Sequence, residues 1–496
     1  MSLISIQNLT FCHEGSWQPV FENLSLQLDS SWRLGLVGRN GRGKSTLLGL
    51  LCGRWPYRGS INAGVQVEYF PFLVPDPEQM ALYAVQDCRP GLEQWQLERE
   101  LNRMGADPDM LWQPFATLSQ GQRTKLLLAA LFCTDNAFLL IDEPTNHLDV
   151  QGRRQLAGYL AGKQGFILVS HDRDFLDSCT DHTLAINRGS VELVAGSYSV
   201  WRQQRQLRDE SELAQNARLK KDIARLEQSA RQAAGFAQKA EKAKKGQGKN
   251  NSSGLRADRG FIGAQAARLM KRAKSIEARR NDAVEQKQQL LRDIEQNDSL
   301  ILRPLDFHSP VLAEAKGLSV AYSPQKPVFS GLDFELRSGE RLAVEGANGC
   351  GKSSLLRLVL GQPVPYTGWL RVAPGLVISW LPQSAEGLAG SLEDFARQKQ
   401  IPYIMLLTLL RKLGFARHQL EGDMADFSDG QKKKAMLAAS LCTSAHLYIW
   451  DEPLNFIDLD SRLQIEQLLL EYQPTLLFVE HDAAFVRAIA TRRLKL

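Results

Sequence analysis

Two stretches of this chain are one device written twice. LGLVGRNGRGKSTLL at 34–48 returns as LAVEGANGCGKSSLL at 342–356. LLIDEPTNHLD (139–149) returns as LYIWDEPLNFID (447–458), and LVSHD (168–172) as FVEHD (478–482). The offset is 308 residues between Lys44 and Lys352, 309 between Asp142 and Asp451, and 310 between His171 and His481. So steady an offset over about 140 residues means one domain present in two copies. The expected boundaries are 1–201 and 303–496 for the copies, with 202–302 between them. The apolar runs FLLID, FILVS, LYIW and LLFVE are short and do not alternate. That pattern suits strands buried on both faces of a mainly parallel sheet flanked by helices. A buried helical segment is the rival for runs this short; their Gly-rich and Asp-containing ends favour strands, and the expected class is α/β.

The repeated motifs carry phosphate chemistry. Gly38-x4-Gly43-Lys44-Ser45 and Gly346-x4-Gly351-Lys352-Ser353 each follow an apolar strand and open an apolar helix. Glycines there let backbone N–H groups close round a β-phosphate at the positive end of a helix, the lysine reaches the β- and γ-phosphates, and the serine hydroxyl binds Mg²⁺. The expected ATP-binding residues are Gly38, Asn40, Gly41, Gly43, Lys44, Ser45 and Thr46, and in the second copy Gly346, Asn348, Gly349, Gly351, Lys352, Ser353 and Ser354. Asp142 and Asp451 end apolar strands, where a carboxylate can hold Mg²⁺ against that loop, so Ser45, Asp142, Ser353 and Asp451 are the candidate metal set. Glu143 and Glu452 follow directly, placed to polarise an attacking water. His171 and His481 come after the next strand, where a neutral imidazole can sense the γ-phosphate.

The middle segment is built differently. Net charge over the 496 residues is +5, but residues 202–298 hold 23 basic and 13 acidic residues, net +10. Positive charge concentrated in one segment points to a polyanionic partner. From 202 to about 245 there is no Pro and one Gly, and helix propensity is high. A second helix-prone run has an a/d-like stripe of Leu269, Ala273, Ile276, Ala283, Leu290 and Ile294, broken by Arg280 and Lys287. With the turn-rich break at 246–260, this predicts an antiparallel helical hairpin. Arms of about 40 residues at ~1.5 Å per residue reach roughly 60 Å. A flexible charged linker is the rival.

The remaining composition narrows the class. Seven scattered Cys with no C-x-x-C spacing argue against a disulfide framework or a zinc site and for reduced cytosolic thiols. No apolar run reaches the ~18 residues a membrane span needs, and MSLISIQNLTF at the N-terminus alternates like a strand without a signal-peptide pattern. The expectation is a cytoplasmic protein without a membrane partner.

LSQGQRTKLLLAALF (118–132) and FSDGQKKKAMLAASL (427–441) resemble the signature motif of ATP-binding-cassette proteins, each serine lying 23 residues before its strand-end Asp. The resemblance spans about 80% of the chain. It implies two tandem ABC ATPase domains that sandwich ATP at two shared sites: Lys44, Asp142, Glu143 and His171 with Ser428, Gly430 and Gln431, and Lys352, Asp451, Glu452 and His481 with Ser119, Gly121 and Gln122. Two cassettes joined by a long basic linker look like the ABC-F subfamily. EQWQLERELNRMGADPDMLWQPF and IGAQAARLMKRAKSIEARR, with the absence of an inserted arm in the first cassette, resemble its Lsa-type antibiotic-resistance branch.

The branch resemblance implies a monomer with an intramolecular cassette pair that binds the bacterial 70S ribosome. Its hairpin would enter the exit site toward 23S rRNA of the peptidyl-transferase centre and the P-site tRNA, protecting against lincosamides, pleuromutilins and streptogramin A. Lys242, Lys244, Lys245, Lys249, Arg256, Arg259, Arg268, Lys271 and Arg272 are then the rRNA-contacting set. Rival readings are a translation factor relieving stalled ribosomes, a transporter motor and a DNA-acting ATPase.

The chain departs from the pattern in one cassette. Tyr322 stands where the family stacks an aromatic on adenine, and Gln383 in WLPQ stands at the Q-loop, where the resemblance implies contact with Mg²⁺ and water. The first cassette has His13 and Phe72 at those places. Phe offers no hydrogen bond, so the first site is expected to be the weaker. Gln120 and Asp429 replace a middle glycine of the signature.

Overall fold

A computed structural model describes residues 2–218 and 302–496, apart from 16–18, 135, 147, 188–189, 213, 323–326, 386, 416 and 456, together with 221, 224 and 228. Residues 1–201 and 297–496 form one compact unit and residues 202–296 another. Residues 198–212 are helical. The expected hairpin tip at 246–260 and all nine expected rRNA-contacting side chains lie outside the described residues.

Each cassette has two sheets. In the first, an antiparallel sheet runs in the order Phe21–Asp29, Leu3–Phe11, Arg58–Ala63. The larger sheet runs Gln66–Phe70, Ala137–Asp142, Phe166–Val169, Arg33–Gly38, His182–Asn187, Ser190–Ala195, parallel except for its last pair. The second cassette repeats this with Phe329–Arg337, Val311–Val320, Tyr366–Val372 and a five-stranded parallel sheet. The runs FLLID, FILVS, LYIW and LLFVE are all strands of the parallel sheets. Four consecutive residues of Phe166–Val169 are buried, as are all five of Leu447–Asp451, because both faces of the parallel sheets are covered.

The first strand alternates as expected, but with a step. Ile4 and Ile6 are buried, then Leu9 and Phe11, so the inward parity changes where the pairing register shifts. Asn8 sits there in the left-handed region (φ 51°). In the second cassette Gly317 (φ 57°) does the same between Ala315 and Leu318. The bulged backbone presses on the neighbouring strand so closely that a Cβ at Gly59 would lie 2.6 Å from Asn8 O, and one at Gly368 2.4 Å from Gly317 O. A bulge re-aims the residues beyond it, here the ends of the strands that lead to His13 and Tyr322.

Two apolar cores form in each cassette. In the first, Ile4, Ile6, Leu36, Leu47 and Val169 pack the antiparallel sheet and the helix Lys44–Leu51 onto one face of the parallel sheet. On the other face Leu101, Leu128, Leu139 and Phe166 pack the helical part. Each fully buried Leu contributes about 1.5–3 kcal/mol by leaving water. Leu459 of the second cassette is buried within this first-cassette core, so the two cassettes share apolar packing. Ion pairs add to it: Arg173 to Glu466 at 2.7 Å, and Arg487 to both oxygens of Asp174 at 2.9 and 2.7 Å.

Candidate active site

The parallel strands end where the chemistry begins. After Arg33–Gly38 the chain turns through Gly38, Gly41 and Gly43, with φ of 153°, 78° and 96°, into the helix Lys44–Leu51. Gly43 is the N-cap; a Cβ there would meet Val20 at 2.6 Å, so the position has both a positive φ and no room. Gly351 (φ 99°) caps Lys352–Val359 in the same way, against Val328. Unpaired helix N–H groups and the loop amides make an anion cradle at both helix starts. Lys44 Nζ donates to Gly38 O at 2.6 Å and Asn40 Oδ1 at 3.3 Å; Lys352 Nζ donates to Gly346 O at 2.9 Å and Ala347 O at 3.0 Å. Burial pushes the Lys44 ammonium below its ordinary pKa, with Asp458 of the other cassette and Glu143 opposing.

His13 and Tyr322 occupy equivalent places. His13 Nε2 lies 3.3 Å from Thr46 Oγ1, and Tyr322 Oη lies 2.8 Å from Ser354 Oγ. Tyr322 is 59% exposed and presents an open ring. His13 is held edge-on against Phe11 and Trp55.

The acidic pairs differ more. Asp142 Oδ2 accepts from Ser45 Oγ at 3.1 Å and from Tyr69 Oη at 2.9 Å. Asp451 is raised in pKa by burial, with a hydrogen bond from Ser353 opposing, and its Oδ1 is buried without a partner. Glu143 (φ 50°) and Glu452 (φ 49°) are both left-handed, which costs about 1–2 kcal/mol for a residue with a Cβ. Each N–H is paired at 3.0 Å, Glu143 to Val169 O and Glu452 to Val479 O.

Glu452 Oε1 accepts from Gln383 Nε2 at 2.9 Å, Oε2 accepts from Asn455 Nδ2 at 2.6 Å, and His481 Nε2 stands 3.5 Å away. Burial pushes Glu452 up, but these partners outweigh it and hold the carboxyl down to about 2. Glu143 has His171 Nε2 at 3.2 Å, yet no well-aligned hydrogen bond reaches either carboxylate oxygen. Burial, with the neighbouring Asp142, pushes it up to about 8. Burial also holds His171 well below the ordinary imidazole value, so the ring is neutral. Phe72 packs against the first-cassette core with the Arg89 guanidinium 5.0 Å from its ring.

Ser119 and Ser428 are N-caps of the helices Gln120–Phe132 and Asp429–Cys442. Gln122 and Gln431 close reciprocal capping boxes with them: each serine oxygen accepts from the glutamine N–H at 3.3 Å, and each glutamine Oε1 accepts from the serine N–H at 2.9 Å. Among the described residues no hydrogen bond or ion pair links Ser428 to the first cassette.

What crosses between the cassettes is the segment after each acidic pair. A cavity of about 820 Å³ at the second site is lined by Asp149 and Gln151 of the first cassette and by Gly346, Lys352, Glu480 and His481 of the second; Ser119 and Gly121 do not line it. At the first site Asp458 and Arg462 of the second cassette act electrostatically on Lys44 and His171. Asp458 is clamped by Lys434 at 3.0 Å, and Arg462 by Asp482 at 3.0 Å. These crossing segments sit inside the repeated motifs, but nothing in their spacing tells which site they face.

Among the described residues no helix is long and apolar enough to cross a membrane, and no three His, Cys, Asp or Glu residues form a metal cage. Mg²⁺ needs no such cage, since it binds through one or two protein oxygens plus phosphates.

Fold and site together define a tandem P-loop ATPase. The chain belongs to the ABC transporter family, whose model matches residues 21–146 and 329–455. It binds and hydrolyses ATP. It is similar to the ribosome protection protein VmlR of Bacillus subtilis (strain 168), at 29% identity over 99% of this chain and 86% of the relative. It is also similar to the ATP-binding protein Uup of Escherichia coli (strain K12), at 26% over 98% and 79%. These relatives agree with the ABC-F resemblance seen in the sequence. Among solved structures, the fold matches an archaeal ribosome recycling factor, aABCE1, crystallised with the stalk protein aP1 (TM-score 0.62, 16% identity, 98% of this chain and 87% of that one).

Proposed function

We propose that this ATPase binds the bacterial 70S ribosome and protects the peptidyl-transferase centre from lincosamide, pleuromutilin and streptogramin A antibiotics. The carrying observation is charge placement: net +10 over residues 202–298, which lie in sequence between two cassettes that are together net −5. Phosphate backbones reward such a concentration, since each neutralised phosphate releases counterions. The relative named as a ribosome protection protein supports the same reading. In this reading residues 1–201 and 303–496 are the motor domains and 202–302 the inserted element, reaching rRNA and P-site tRNA through the exit site.

ATP lies on the two glycine cradles, with Lys44 and Lys352 on its phosphates. Ser45 with Asp142, and Ser353 with Asp451, would hold Mg²⁺; the orphaned Asp451 Oδ1 and the shared Ser45–Asp142 contact suit a hard cation. The ion's contribution is to neutralise charge on the β- and γ-phosphates. Glu452 is ionised and aimed by Gln383 and Asn455, ready to orient water and take its proton. His171 supplies a neutral ring near the γ-phosphate position of the first site, and His481 stands at the matching place in the second. ATP-driven closure brings Ser428 and Gly430 over the first site and Ser119 and Gly121 over the second.

The test replaces 246–260 with a tight turn and measures the minimum inhibitory concentration of a pleuromutilin and a lincosamide at matched expression. Loss of protection with ATPase activity intact without ribosomes is expected. Full resistance from the shortened chain overturns the reading. A wild-type chain that sediments with ribosomes but confers no resistance favours the translation-factor alternative.

A further inference from the structure

The helix Asp429–Cys442 carries a lysine that the hydrolytic scheme does not use. Lys433 is only 2% exposed, and its ammonium donates to Pro382 O at 2.7 Å, Gln383 O at 3.0 Å and Asp451 O at 3.0 Å. Three donors meet three acceptors, so the ammonium is saturated by backbone carbonyls. Burying a cation among neutral partners is costly: burial pushes Lys433 down to about 8, against the fields of Asp451, Glu480 and Glu452.

A lysine that served only packing would have no reason to choose these carbonyls. Two belong to the Q-loop, one of them to Gln383 itself, whose side chain donates to Glu452. The third belongs to Asp451, immediately before Glu452. The lysine stands five residues into the signature segment that begins at Ser428. One ammonium therefore ties together the backbone behind the water-orienting amide, the backbone behind the candidate base, and the signature helix.

The first cassette has no such tie. Thr124 stands at the equivalent place, and its hydroxyl donates back along its own helix to Gln120 O at 3.0 Å. Phe72 stands there in place of the Q-loop glutamine. The clamp is present in the cassette that has a glutamine to position and missing in the one that has none.

We propose that Lys433 is a positioning residue for hydrolysis in the second cassette. It fixes the Gln383 and Asp451 backbones relative to the signature helix, so that Gln383 stays on Glu452 and helix movement is transmitted to that pair. This rests on the reading of Glu452 as the base of the second site. A clamp acts on the chemical step and leaves ATP affinity, made by the glycine cradle and Lys352, in place.

The experiment measures kcat, KM and fluorescent-ATP affinity for the full chain carrying Lys433→Met, Lys433→Gln or Glu452→Gln, each normalised to folded nucleotide-binding sites. Met keeps the volume and removes every donor; Gln keeps two donors and serves if Met fails to fold. The expected result is a kcat loss of about tenfold or more for Lys433→Met, with KM and affinity within about twofold, and an intermediate kcat for Lys433→Gln. A wild-type kcat per folded site in both Lys433 variants, or kcat and affinity lost together, overturns the proposal. Glu452→Gln keeps the two failures apart. If it is inactive while Lys433→Met is unaffected, the proposal alone falls; if Glu452→Gln still turns over at the wild-type rate, the site assignment falls and takes the proposal with it.

Discussion

The two cassettes share a backbone and differ in how their glutamates are held. Both glutamates are left-handed, both N–H groups meet the next strand, and both have a histidine ring nearby. Around Glu452 stand Gln383, Asn455 and, behind them, Lys433. Around Glu143 the Q-loop place is Phe72, the helix place is Thr124, and the carboxylate is left without an aligned donor. The consequence is opposite charge states at neutral pH: Glu452 ionised, held at about 2, and Glu143 protonated, pushed up to about 8. One fold can thus hold the same glutamate ionised in one copy and protonated in the other, and the difference lies in a few neighbours.

A further exchange lies beside the two histidines. In the first cassette Thr145 and Ser170 hydroxyls meet at 3.1 Å, and Ser170 Oγ accepts from Asp172 N–H. In the second, Leu454 and Glu480 stand in their places, and the Glu480 carboxylate accepts from the N–H groups of Leu454, His481 and Asp482. A buried carboxylate does with one side chain what two hydroxyls do opposite. Both arrangements hold the histidine loop, so this difference is expected to be silent in turnover.

The largest effect is expected when both bases are removed. Glu143→Gln with Glu452→Gln should bind ATP normally and lose hydrolysis by about a hundredfold or more. The closed protein should then co-sediment with ribosomes in ATP better than wild type; equal sedimentation breaks the sandwich scheme for both cassettes.

The pH profile separates the cassettes next. In Lys352→Ala, residual turnover at the first site should climb severalfold from pH 7 to 9 as Glu143 loses its proton, whereas Lys44→Ala should be nearly flat. The same group acts on stability. The folded chain keeps Glu143 protonated from its ordinary 4.5 up to about 8, while the unfolded chain does not, so stability falls as pH rises through that window. Glu143→Gln should remove that part of the slope in thermal unfolding. Glu452 works in the other direction and lower, adding stability as pH rises from about 2 to its ordinary 4.5.

Phe72→Gln isolates the part played by the Q-loop side chain. It restores a donor but not the Lys433-type clamp, so turnover in the Lys352→Ala background should rise by only about two- to threefold. A rise to the level of the second site would show that the Q-loop side chain alone sets the difference. The smallest effect belongs to Arg487→Ala. Its bifurcated pair with Asp174, made by Nη2 alone, spans the cassettes but is about half exposed, so the melting temperature should move by less than about 2 °C.

What could be read from the sequence was what is local in it. The glycine cradles, Lys44 and Lys352, the strand-end acids and the capped signature serines sit in short motifs whose spacing is their geometry. His13 and Tyr322 were placed by the family resemblance, and both reach the equivalent hydroxyl of the phosphate-loop helix. Tyr69 on Asp142, Lys433 on Gln383 and Leu459 in the opposite core were not legible. Their contacts join residues 73, 50 or several hundred positions apart, and the residues carry no motif of their own. Leu459 reads as an ordinary helix start until the other cassette is set against it. The bulges at Asn8 and Gly317 hide in strands whose alternation breaks for only two residues.

The second site, with Glu452, Gln383 and Lys433, is expected to carry most of the hydrolysis. The direct measurement is steady-state ATP turnover of Lys44→Ala against Lys352→Ala in the full chain, with nucleotide occupancy of the intact site checked in each. Lys352→Ala should lose about tenfold and Lys44→Ala about twofold or less. Equal losses, or a greater loss from Lys44→Ala, would contradict it.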